Sequence, residues 1–185
     1  MSDPATTLMT SDEFIAWAMQ QPTRTRHELV AGRVVAMAPE RSAHALMKGW
    51  LYQQLANAVR AADRPCVVYP DGMAVAVDDL TTYEPDALVR CGPPLPPDAI
   101  KVTDPIIIVE VLSPSTQARD TGAKLEDYFR LPSLQHYLIV KTENGAIIHH
   151  QRNPDGTILT RINRGGPLHL DPPGITLTSP RPPAD

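Results

Sequence analysis

Glu110 stands where a strand should tolerate no charge. It lies within Ile106-Ile107-Ile108-Val109-Glu110-Val111-Leu112, a run apolar on either side of the carboxylate. An ionised carboxylate in such surroundings costs roughly several kcal/mol unless it is paired, protonated or bound to a metal. Two chemistries fit: a strand-end salt bridge with an arginine such as Arg119, or a functional acid. Asp86 opens a second candidate strand directly after Pro85. Neighbouring strands run about 4.8 Å apart, so two carboxylates at matched depth can share one divalent cation. Hard oxygen ligands, without cysteine or well-spaced histidine, favour Mg²⁺ or Mn²⁺ over zinc. Asp86 also has a plainer reading as a turn or capping aspartate. The adjacent His149 and His150 are expected to be exposed on a hairpin. Their side chains point to opposite faces of a strand, so they cannot easily share a metal.

The elements that must position these acids follow from local pattern. Thr10 and Glu13 have capping-box spacing, which predicts a short helix to Met19 with Phe14, Trp17 and Ala18 on one face. His27 to Met37 reads as a hairpin turning at Ala31-Gly32. Ser42 to Ala62 carries apolar residues at three-to-four spacing and reads as the longest helix, stopped by Pro65. Short strands are expected at 67–69 and 73–77, either side of the Asp71-Gly72 turn signal. Pro85 and Pro105 each open a strand, where no ladder donor is lost. The second of these, 106–112, is apolar enough to be central and covered on both faces. Asp120 to Leu131 reads as a helix, and 136–140 with 146–150 as a hairpin through Asn144-Gly145. A final pair of strands is expected near 157–162 and 175–177. This order gives a mixed α/β domain with a central mixed sheet flanked by helices.

The 185 residues suit one domain, expected over 1–178, with a flexible proline-rich tail at 179–185. The twenty prolines cluster at 93–97, read as a surface loop, and in that tail. No secretory signal or membrane-spanning run is visible, so a cytoplasmic protein with no membrane partner is expected. Cys66 and Cys91 lack metal-ligand spacing and read as partly buried free thiols in a reducing compartment. A net charge of -4 argues against coating nucleic acid non-specifically. Basic residues do gather locally, at Arg24, Arg26, Arg33, Arg41 and Lys48. Their convergence in space is not readable from sequence.

Three strings carry a resemblance: Tyr83-Glu84-Pro85-Asp86-Ala87-Leu88-Val89; Ile108-Val109-Glu110-Val111-Leu112-Ser113-Pro114-Ser115-Thr116; and Asp120 with Lys124 and Tyr128. With His27-Glu28-Leu29-Val30-Ala31-Gly32-Arg33-Val34, and His44 at the head of the long helix, they resemble the Uma2 family. That family is also known as domain of unknown function 820, described as restriction endonucleases within the PD-(D/E)XK superfamily. The resemblance spans roughly residues 10 to 178.

It implies a restriction-endonuclease-like fold and a Mg²⁺-dependent (or Mn²⁺-dependent) endonuclease acting on DNA, with homodimerisation plausible for double-strand cutting. Asp86 and Glu110 would hold the metal with the main-chain carbonyl of Val111, and Glu28 would be a further acid. Leu112 stands where the superfamily usually has its lysine. The Uma2 pattern moves that lysine to the following helix, which matches Lys124; without the resemblance Lys124 reads as a solvated helix residue. His44 reads as a residue that binds substrate phosphate or supports the metal's ligands from behind, or merely as a helix-start cap. His136, Leu138 and Lys141 depart from the family's glutamate, tryptophan and aspartate. The change at His136 is expected to bear on a salt bridge near the helix lysine or on the preferred metal. With the acidic net charge, these departures also support an alternative: an inactive nucleic-acid-binding or scaffold protein that keeps the fold.

Overall fold

A computed structural model describes residues 8–22, 25–112 and 121–178. Thr10 caps α1 (Ser11–Ala18) through a full capping box: its hydroxyl accepts from the Glu13 N–H and the Glu13 carboxylate accepts from the Thr10 N–H at 2.8 Å. Phe14 and Ile15 of α1 bury against Leu29. Leu29 lies in the hairpin of β1 (His27–Val30) and β2 (Arg33–Ala36). Ala31 and Gly32 turn that hairpin with φ of 48° and 75°, the positive pair that a two-residue turn between twisted strands requires.

α2 (Ser42–Ala61) follows, then β3 (Cys66–Pro70), β4 (Ala74–Asp78), β5 (Thr81–Tyr83), β6 (Ala87–Cys91), β7 (Lys101–Val102) and β8 (Ile107–Leu112). After α3 (Thr121–Tyr128) come β9 (His136–Lys141), β10 (Ile147–Arg152), β11 (Ile158–Asn163), β12 (Pro167–Leu170) and β13 (Ile175–Thr178). The strands form a six-stranded sheet in the order β11-β10-β9-β8-β6-β3, a five-stranded sheet in the order β2-β1-β5-β4-β7, and the pair β12-β13. Both larger sheets are mixed: β8 runs parallel to β9, and β4 parallel to β7. The α/β class with mixed sheets and flanking helices is as expected.

Every residue of β8 is buried, as a central strand demands. Ile107, Val109 and Val111 pack toward Met47, Leu51, Leu55 and Val59 of α2. Ile108 and Leu112 pack with Tyr128, Leu131 and Tyr137 on the other face. By strand alternation Glu110 belongs to this second face, the one that α3 covers.

Strands stand on both sides of the Asp71-Gly72 turn, as expected; β3 joins the six-stranded sheet and β4 the five-stranded one, so the turn passes the chain between sheets. The two final strands are also where expected; β11 pairs with β10, and β13 with β12, a strand not foreseen. Cys66 and Cys91 are not free thiols. The antiparallel register of β3 on β6 sets them directly opposite, with Cα atoms 3.9 Å apart, and they form a disulfide. With no free thiol at either position, the two cysteines give no reason to expect a reducing compartment.

His149 and His150 are buried, not exposed: His149 packs against His136, and His150 stacks on Tyr137 beside Thr160. His149 Nε2 lies 2.9 Å from His136 Nδ1, and His136 Nε2 lies 2.9 Å from the Pro172 carbonyl. That carbonyl requires the proton on His136 Nε2, so His136 Nδ1 accepts from His149. Burial pushes both imidazoles down to about 4. His136 therefore sits on the α2 side of the sheet, with Leu138 and Val140, and cannot touch a salt bridge of Lys124. The proline-rich stretch 93–97 is a loop, as expected. The tail 179–185 lies outside the described residues.

Candidate active site

Antiparallel pairing of β6 with β8 sets Ala87 opposite Val109. Continued outward by one residue, that register puts Asp86 beside Glu110. The Asp86 carboxylate, 6% exposed, accepts from the Val111 N–H at 2.6 Å. Burial outweighs this bond and pushes Asp86 up to about 6.

The partner of Glu110 is Lys124. Its ammonium donates to Glu110 Oε1 at 3.0 Å and to Glu28 Oε1 at 2.8 Å. Lys124 is therefore no solvated helix residue: it is buried, as are both acids. Arg119, the alternative partner, lies outside the described residues, as do Ser113 to Thr116 and Asp120. Burial raises the pKa of both Glu28 and Glu110, against the pull of Lys124. Burial alone would discharge Lys124, but Glu110 and Glu28 hold the ammonium above its ordinary pKa, and it stays charged. The Glu84 N–H completes the support of Glu28 at 3.2 Å.

Sequence reasoning missed one donor. Tyr128 stands one helical turn after Lys124, and its hydroxyl donates to Glu110 Oε1 at 2.8 Å. The ring is fully buried, in edge contact with Tyr83 and Tyr137. Lysine and tyrosine at i, i+4 were visible; that both face one carboxylate was not. Tyr128→Phe keeps the ring and removes the donor. It is expected to lower metal-free stability by about 2 kcal/mol, as for a lost bond to a buried charge. Urea unfolding in EDTA measures this, and an unchanged midpoint would show that Glu110 does not depend on the hydroxyl.

His44 reaches the same strand end from α2. Its Nε2 lies 2.8 Å from the Val111 carbonyl and 3.6 Å from Asp86 Oδ2. The carbonyl takes a donor, so Nε2 carries hydrogen, and a carbonyl has a second lone pair for another partner. Nδ1 is buried without a hydrogen-bond partner among the described residues, 3.8 Å from Glu40 Oε2. Glu40, His44 and Asp86 each bring a donor atom within 4.8 Å of the other two. The donors here are carboxylates, a carbonyl and one imidazole; Glu28 and Glu110 share Lys124, and Asp86 has Lys48 at 3.7 Å. This set fits a hard divalent cation, whose charge would relieve the burial that raises these acids.

A buried cluster of acids and a lysine thus stands at the strand ends of a mixed α/β fold, an arrangement that fits a nuclease-like protein. The family comparison agrees: the model of Uma2, described as "Putative restriction endonuclease", matches residues 11–178. The chain belongs to the Uma2 family. It is 30% identical over 149 residues to the uncharacterized protein slr1290 of Synechocystis, covering 80% of this chain and 76% of that one. A second Synechocystis protein, sll1609, also uncharacterized, is 25% identical over 153 residues, covering 81% and 84%. The fold matches a crystal structure from Anabaena variabilis, described as "a putative nuclease belonging to DUF820", with a TM-score of 0.67. That match has 14% identity and covers 89% of this chain and 90% of that one. Among the described residues, no helix is long and apolar enough to cross a membrane.

Proposed function

We propose that this protein is a divalent-metal-dependent nuclease that hydrolyses phosphodiester bonds of DNA. One observation carries the reading: the Lys124 ammonium is pinned between Glu28 and Glu110, with Asp86 adjoining on the next strand, all four buried. Burying three carboxylates with Lys124 between two of them, and with only Lys48 at 3.7 Å beside the third, is costly for a fold that needs only a packed core. It suits a centre whose remaining charge is met by a cation.

Asp86, Glu110 and the Val111 carbonyl would hold Mg²⁺ or Mn²⁺. Bound there, the ion supplies charge neutralisation at the phosphate and a water of lowered pKa. His44 fixes the Val111 carbonyl, and the Val111 N–H fixes Asp86, so the two strand ends stay in register. Glu28 offers an acceptor for a proton of the attacking water. Lys124, already charged and desolvated, stabilises negative charge that develops on the phosphate oxygens.

Calorimetry with Mg²⁺ and Mn²⁺, run beside cleavage of several DNA forms, tests this. Wild type should bind the ion and cut; Asp86→Ala with Glu110→Ala should do neither, with cleavage lower by about a thousandfold or more. Ion binding with no cleavage of any DNA form would instead favour the non-catalytic binding or scaffold role.

A further inference from the structure

Two of the basic residues that gather in the sequence, Arg26 and Lys48, meet in space just outside the acid cluster. Lys48 lies on α2 one turn after His44, and its side chain is only 8% exposed. The Lys48 ammonium contacts Glu40, lies 2.7 Å from Asp71 Oδ2, and comes within 3.7 Å of Asp86 Oδ1. Arg26 precedes β1, and its guanidinium lies 2.8 Å from Glu40, 3.2 Å from Asp71 and 2.7 Å from Glu84. Glu40 and Asp71 thus each bridge the same two cations.

These bridging acids differ from the acids of the centre. The side chains of Glu40 and Asp71 are 29% and 36% exposed, against 7% for Asp86. They stand on the loop before α2 and on the turn after β3, whereas Lys48 is anchored deeper, on the helix itself. Two carboxylates on connecting segments, each gripped by an arginine and a lysine, present what a phosphodiester presents: paired anionic oxygens between Lys and Arg. Lys48 remains charged despite its burial because Asp71, Glu40 and Asp86 surround it. An incoming phosphate in place of Glu40 would therefore meet a preformed positive pair next to the centre. Arg26 and Glu84 also line a cavity of about 240 Å³ with Phe14, Ile15, Met19 and Ile100.

We propose that Arg26 and Lys48 form a subsite for a DNA backbone phosphate flanking the scissile one, masked in the free protein by Glu40 and Asp71. The inference rests on the nuclease reading for its ligand. It differs in its predictions, because the subsite acts on binding and not on the chemical step.

The test is fluorescence anisotropy with a labelled DNA duplex in EDTA, over a range of salt, using the full chain. Lys48→Gln and Arg26→Gln should each weaken binding about tenfold and lower the salt slope by about one. Glu40→Gln should tighten binding several-fold, since it removes one of the two acids that mask both cations. This opposite sign keeps the test decisive even if the buried Lys48 variant folds poorly, which a thermal melt reveals. Unchanged affinity and slope in Arg26→Gln, or weaker binding by Glu40→Gln, would overturn the subsite while leaving cleavage by wild type intact. The expected affinity changes with no cleavage by wild type would uphold the subsite and remove the nuclease reading. Wild type that binds no DNA even at low salt overturns the subsite.

Discussion

Lys124→Met is expected to unfold the metal-free protein more easily by about 3–5 kcal/mol at neutral pH, and to abolish cleavage. The first effect follows from the geometry alone. Lys124 is the shared counter-charge of Glu28 and Glu110, at 2.8 and 3.0 Å, and removing one member of a buried pair strands the other. Here two acids are stranded together, and the charge of Glu110 already raises the pKa of Glu28. Both already have raised pKa values, so protonation offers them an escape, and the deficit should shrink at pH 5.5 relative to pH 8. A divalent ion at about a hundred times its Kd should return roughly 2.7 kcal/mol to the variant. The ion should also bind the variant more tightly than wild type, since no ammonium competes for Glu110. Cleavage should not return, because the charge that faces the phosphate is gone. Urea unfolding with and without Mn²⁺, beside a cleavage assay, separates these effects. A variant as stable as wild type in EDTA would mean that Lys124 is not the counter-charge of the cluster.

Much of this centre is legible in the sequence because Glu110 violates its surroundings. A carboxylate inside a seven-residue apolar run must be answered by something, and period-two alternation already assigns it to one face. Asp86 is readable by its place behind a strand-opening proline. Lys124 is not readable from residue chemistry: on a helix of mixed composition a lysine looks solvated, and only the family resemblance points to it. What the sequence hides is register between distant strands. Cys66 and Cys91 are separated by 25 positions, and only the antiparallel fit of β3 on β6 makes them a disulfide. His136 and His149 meet because β9 and β10 pair in one register; shifted by one residue, they would face opposite sides. The same holds for Glu40 and Asp71. Each looks like an ordinary loop acid, and their convergence on Arg26 and Lys48 depends on the chain passing between two sheets at Gly72. Local pattern fixes elements and faces, whereas long-range pairing decides which polar groups are answered.

Asp86→Asn is expected to stabilise the metal-free protein at pH 7.5, by an amount that vanishes as the pH falls toward 4. Asp86 has an ordinary pKa of 3.8 and is pushed up to about 6 by burial in the fold. Between those values the folded protein binds the proton that the unfolded chain has released. Stability from this group is therefore present in acid and is lost as pH rises through the window, by about 3 kcal/mol at full extent. Glu40 and Asp78 have lowered pKa values and pull the other way, so total stability against pH does not isolate Asp86. The difference between wild type and Asp86→Asn does. Urea unfolding of both proteins in EDTA at several pH values should give curves that meet near pH 4 and diverge up to about pH 6. The same proton competes with a cation at Asp86, so Mn²⁺ affinity of wild type should fall about tenfold per pH unit below 6. Calorimetry at pH 5 and pH 7.5 measures that fall. A constant difference across the pH range would show that Asp86 is ionised throughout, and that hydrogen bonding by Val111 outweighs its burial. A cation affinity equally insensitive to pH would move the binding site away from Asp86 altogether.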